Sequence, residues 1–121
     1  MTFLAVAVAG AIGAVSRFGL DRVVQGNTEA AFPWGTFTIN ITGSFVLGVI
    51  TGAALYHGFD GIPRIVLGTG FCGAYTTFSG WVLDSVELLE ERRPGVALAN
   101  VVGSVLTGSA AAALGLLVAA R

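Results

Sequence analysis

Lysine is absent from this 121-residue chain, and charge of either sign is scarce: six arginines and seven acids amount to 11% of the residues. A water-soluble domain carries about 25%. The net charge of −1 leaves no basic surface for nucleic acid and no polybasic patch for anionic lipid headgroups. One histidine and one cysteine exclude a zinc centre or a disulfide framework within a single chain. Cys72 stands in an apolar run and reads as a packed thiol. No serine–histidine–acid set, H-E-x-x-H pair or phosphate loop is present, so enzymatic chemistry finds no support. No acid stands in the central part of any apolar run, where a proton-coupled exporter needs one as its carrier.

What is present is hydrophobic: 55% of the residues, with a mean hydropathy of +0.84. About 20 mostly apolar residues are needed to cross a bilayer as a helix. Four stretches qualify, over residues 3–20, 35–56, 63–90 and 95–119. The expected fold class is therefore an all-α membrane protein of four transmembrane helices, one domain over residues 1–121, with the lipid bilayer as its solvent. The first apolar run lacks a charged n-region and an obvious cleavage site, and reads as a mature helix rather than a signal peptide. The connections 21–34 and 57–63 are short, and ELLEERRP at 87–94 continues the third helix into the headgroups. Trp34 fits an interfacial anchor, and His57 reads as a solvated loop histidine. Arginines fall on both sides of the four spans, Arg64 and Arg121 against Arg22, Arg92 and Arg93, with Arg17 near the second group. This balance leaves open whether a few charges orient the chain or whether it inserts both ways round.

Polar groups inside the spans need a reason. Thr36, Asn40 and Ser44 recur every four residues on one face of the second span, and Asn100, Ser104 and Gly108 do so on the fourth. Two such stripes either line a hydrated track or hydrogen-bond helices together. The third span is stranger. GTGFCGAYTTFSGW at 68–81 places four glycines and three threonines inside a membrane segment, and none favours a helix. From Arg64 to Glu90 a helix would measure roughly 40 Å, against a hydrocarbon core of roughly 30 Å. A break near Gly73–Thr77 satisfies both facts, and broken helices at membrane depth line cavities and bind ions. Phe78 and Trp81 follow at i, i+3 on one face, and an aromatic edge carries positive quadrupole that attracts an anion without a formal charge.

Three blocks, GAIGAVSRF at 10–18, GTFTINITGSFVLG at 35–48 and GTGFCGAYTTFSGW at 68–81, resemble the CrcB/Fluc family of fluoride channels. The resemblance implies an antiparallel dual-topology homodimer, or a dimer with a close paralogue, in the plasma or inner membrane. It implies two fluoride pores and passive fluoride efflux. It implies a structural sodium ion at the dimer centre on the backbone carbonyls of Gly73 and Thr76, four oxygens in all, a set suited to a hard cation. It assigns Asn40, Phe78 and Trp81 to the fluoride pathway, with Thr36, Thr77 and Ser79 beside them and Ser104 and Asn100 on the fourth span. Arg17 becomes the cation of an anion vestibule. Trp81 departs from the phenylalanine of the family's FSxF pattern, and the track on the fourth span keeps only Ser104. Two rivals lack support by comparison. A small multidrug exporter needs a glutamate in its first span, which is absent here; an anchoring subunit would carry no transport of its own.

Overall fold

The computed structural model describes all 121 residues, and it is entirely helical, without a strand. Three helices are long and apolar enough to cross a membrane: α1 (Thr2–Gly26), α2 (Trp34–His57) and α6 (Pro94–Ala119). Between the second and third of these lies a helical rod over residues 62–75. It opens as a turn of α-helix, α3 (Ile62–Arg64), continues as a π-helix over Ile65–Cys72 and closes with α4 (Gly73–Tyr75). The chain is then extended at Thr76 and Thr77 before α5 (Phe78–Glu90) resumes.

Only 17 of the 121 residues are buried, and the exposed ones include Phe3, Leu4, Val8, Leu98, Leu106 and Leu117. A chain that turns its large apolar side chains outward is stable only in an apolar solvent. Close backbone approach then replaces the hydrophobic effect as the packing device between helices. The α2–α6 pair shows it most clearly. A Cβ added at Gly48 would collide with the carbonyl of Ala112, and one at Gly115 with the carbonyl of Phe45. On the other side of the molecule α1 lies along the π-helix, with Cys72 buried between neighbouring elements.

The ends follow from local chemistry. α1 runs six residues past its expected limit at 20, through Asp21 and Arg22, with the Arg22 guanidinium 5.0 Å from the Phe18 ring centroid. It stops where the Asn27 side chain donates to the Val23 carbonyl at 2.7 Å. α2 starts after Pro33 in a cluster of Phe32, Trp34 and Phe37, with ring centroids 4.6 to 5.5 Å apart. It ends at Gly58 with φ of 69°, the left-handed position that glycine adopts without a steric cost. His57 is exposed, as expected, but its Nε2 also lies 2.6 Å from the Ala119 carbonyl and ties the ends of α2 and α6 together.

Candidate functional site

The interruption at Thr76–Thr77 is the centre of the polar architecture. In a continuous helix the Thr77 amide would donate to the Gly73 carbonyl and the Gly80 amide to the Thr76 carbonyl. Neither does. The Thr77 amide donates to Asn40 Oδ1 at 2.9 Å, and Asn40 Nδ2 donates back to the Thr77 carbonyl at 2.9 Å. The carboxamide of α2 thus pairs with the extended residue as a neighbouring strand would. The Gly80 amide turns to Thr77 Oγ1 at 3.0 Å, which caps α5. On the other flank Thr76 Oγ1 and its amide both donate to the Cys72 carbonyl, at 2.9 and 3.0 Å. The carbonyls of Gly73 and Thr76 are therefore among those that lose their helical donors at the break, as are those of Ala74 and Tyr75, whose donors Phe78 and Ser79 lie beyond the extended pair. A break in lipid survives only with such replacements, because an unpaired backbone group costs several kcal/mol there.

A cavity of about 290 Å³ opens beside the break. Its walls are Asn40, Gly43, Ser44 and Leu47 of α2, Thr76 and Thr77 of the break, Phe78 and Trp81 of α5, and Ser104, Val105 and Gly108 of α6. Six expected site residues, Asn40, Thr76, Thr77, Phe78, Trp81 and Ser104, meet here. So do Ser44 and Gly108, named in the two stripes by their four-residue spacing from Asn40 and Ser104 but not assigned to the fluoride pathway. The Phe78 and Trp81 rings lie 5.4 Å apart at 53°, and Phe78 is 74% exposed. One N–H of Asn40 is taken by Thr77, and its amide has a second to offer.

A second cavity of about 390 Å³ lies on the other side of Thr77, lined by Arg17, Thr36, Ser79 and Thr77 together with Asp21 and Asp84. Arg17, Thr36 and Ser79 are thus brought together, apart from the aromatic pair but next to it through Thr77. The carboxylates are the unexpected part. Asp84 reaches this cavity from α5 with its Oδ2 buried and without a hydrogen-bond partner. Asp21 packs its carboxylate against Gly35, and a side chain at that position would have to displace it.

Asn100 lines neither cavity. It is fully buried behind the aromatic wall, donating to Ser85 Oγ at 2.9 Å and accepting from Ser104 Oγ at 3.3 Å. Its backbone carbonyl takes the Trp81 indole N–H at 3.2 Å. The indole donor is therefore committed to α6, and what Trp81 presents to the cavity is ring rather than N–H. Nearby, Tyr75 stacks on Phe71 with centroids 5.5 Å apart and its hydroxyl meets Thr42 Oγ1 at 2.8 Å, a further tie between α2 and the break.

The chain as a whole is similar to known proteins. The chain matches the family described as CrcB-like protein, Camphor Resistance (CrcB), over residues 4–116. It belongs to the CrcB family. A relative from Leifsonia xyli subsp. xyli, named fluoride-specific ion channel FluC 1, is 47% identical over 116 residues, covering 96% of this chain and 85% of its own. FluC 2 of Mycobacterium tuberculosis (strain H37Rv), also named a fluoride-specific ion channel, is 47% identical over 113 residues, covering 93% and 86%. FluC 1 of Symbiobacterium thermophilum is 43% identical over 118 residues, covering 96% and 95%. A CrcB member with such relatives is a transmembrane ion-transport protein and not an enzyme.

Proposed function

We propose that this CrcB chain forms a fluoride-selective channel that lets fluoride leave the cell passively through the plasma or inner membrane. In this reading residues 62–90 cross the membrane as a fourth, broken span. Two copies, or one copy and a close paralogue, pair antiparallel and enclose two pores. The observation that carries the reading is the meeting of Asn40, Thr77, Phe78, Trp81 and Ser104 around one cavity at the break.

Fluoride holds its water strongly, so a pore must offer compensating donors without trapping the ion. Arg17 offers a cation to an anion in the cavity on the far side of Thr77, against the Asp21 and Asp84 carboxylates that share it. Thr36 and Ser79 hydroxyls receive the ion there, and Ser44, Ser104 and the second N–H of Asn40 continue the series beside the break. The edges of Phe78 and Trp81 add weak positive potential. No acid lines the cavity beside the break, and the two acids of the path, Asp21 and Asp84, stand in the Arg17 cavity.

A structural sodium ion fits the donor set. The Gly73 and Thr76 carbonyls have lost their helical donors to Asn40 and Thr77, and hard cations take such oxygens. When bound, the ion would neutralise converging carbonyl dipoles at the break.

The test is fluoride efflux from liposomes carrying the purified protein, with a potassium ionophore and a fluoride electrode, against chloride and protein-free controls. Release of fluoride but not chloride supports the channel. A folded, reconstituted protein that releases no fluoride would sink it.

A further inference from the structure

Another cavity, of about 420 Å³, lies away from the Arg17 mouth, between α2 and the start of the π-helix. Leu47, Thr51, Arg64, Gly68 and Thr69 are among its walls. Leu47 also lines the cavity at the break, so the two spaces meet at one apolar side chain. Asn40, Ser44, Leu47 and Thr51 follow one another on α2 at spacings of four, three and four, which is a single helix face running from the break to Arg64. Arg64 precedes Thr77 by 13 residues along the rod. Cationic groups thus bracket the break, Arg17 on one side and Arg64 on the other.

Arg64 is held as well as exposed. Its Nη1 lies 3.4 Å from Asp60 Oδ1, with the two side chains 45% and 69% exposed. Asp60 Oδ1 also accepts the Gly61 amide at 2.8 Å, which fixes the carboxylate at the edge of the turn. A carboxylate so placed draws down the field of the guanidinium without removing it, since an exposed pair is only weakly coupled.

We propose that the Arg64 cavity is a second anion-recruiting vestibule for small hard anions, with Thr51 and Thr69 as hydroxyl donors and Asp60 as the group that sets its strength. The proposal rests on the channel reading for the identity of the anion. Fluoride leaving the break passes Leu47 and is received by Thr51, Thr69 and Arg64 before it regains its full hydration shell. A focused cationic mouth of this kind acts on the rate of ion capture and is screened by salt.

The experiment measures initial fluoride efflux in liposomes at low and high ionic strength. Wild type is compared with Arg64→Gln, Arg64→Lys and Asp60→Asn, each verified as folded by its melting curve. Arg64→Gln is expected to slow efflux about threefold at low salt, with the gap closing near 0.3 M. Arg64→Lys keeps the wild-type rate, and Asp60→Asn exceeds it. Efflux by Arg64→Gln equal to wild type at low salt overturns the proposal. So does an equal loss in Arg64→Lys, which would make the position one of packing. Fluorine NMR of fluoride with the purified protein supplies a readout independent of flux. Line broadening that falls in Arg64→Gln supports the site, and broadening unchanged by it does not. Wild-type protein that broadens fluoride in this way yet passes none keeps the site and discards the channel.

Discussion

The α2–α6 pair and the 62–90 segment solve the same problem in opposite ways. α2 and α6 are unbroken, and their contact is built from backbone against backbone at Gly48 and Gly115. Neither helix is interrupted where they touch, so the contact at Gly48 and Gly115 is made without a polar side chain. The 62–90 segment changes helical type, opens at two residues and borrows its missing partners from Asn40, Thr77 and Thr76. Rigid packing supplies a wall; the interruption supplies unpaired polar chemistry beside it. The cavity lies where the two meet.

The comparison breaks most sharply at Asn40. Asn40→Leu leaves both the amide and the carbonyl of Thr77 without partners, a loss of about 1–3 kcal/mol for two part-buried backbone groups. Fluoride efflux is expected to fall more than about tenfold, since each 1.4 kcal/mol of lost transport free energy is a factor of ten, and the melting temperature in detergent should drop with it. Gly48→Val tests the other region. The added side chain collides with the Ala112 backbone, and overpacking of this kind costs about 1–3 kcal/mol. Melting should fall while efflux per folded protein stays near wild type, the reverse of the weighting at Asn40.

Trp81→Phe is milder. It removes the indole bond to Asn100, worth about 1 kcal/mol, and leaves an aromatic edge toward the cavity. Melting should shift by a few degrees and fluoride selectivity over chloride should persist. The smallest effect concerns pH at the Arg64 end. The Gly61 amide, and next the Arg64 side chain, hold the Asp60 carboxyl below the ordinary carboxylate range. A depressed value means that the charged pair is present above that range and is lost only as pH falls through the lowered one. Efflux of Arg64→Gln relative to wild type is therefore expected to be the same at about pH 7 and about pH 5.

Much of this fold was legible in residue order, because helices in lipid announce themselves by length. The runs expected at 35–56 and 95–119 became Trp34–His57 and Pro94–Ala119, within two residues at each end. α1 was read as too short, since Asp21 and Arg22 look like a boundary by polarity although a helix passes through them. The break fell inside the window drawn from glycine and threonine content. The π-helix before it did not announce itself, because one extra residue per turn leaves no mark in composition. Nor did the reciprocal bonds between Asn40 and Thr77, which join positions 37 apart. Spacing also grouped Asn100 with Ser104 on one stripe. The two are indeed hydrogen-bonded along that face, but Asn100 is buried against Ser85 and Trp81 while Ser104 reaches the cavity.

The central claim is that fluoride passes through the cavity beside the break, and Gly108 offers direct access to it. A Cβ there would sit 3.7 Å from Ser44 Oγ and 4.0 Å from Ile41 Cδ1, ordinary contacts, so the backbone at this cavity wall accepts a side chain. The measurement is fluoride efflux from liposomes by Gly108→Phe alongside wild type, with melting curves for both. The account predicts a variant that melts like wild type and passes almost no fluoride. A folded Gly108→Phe that releases fluoride at the wild-type rate would contradict it and move the pathway elsewhere in the molecule.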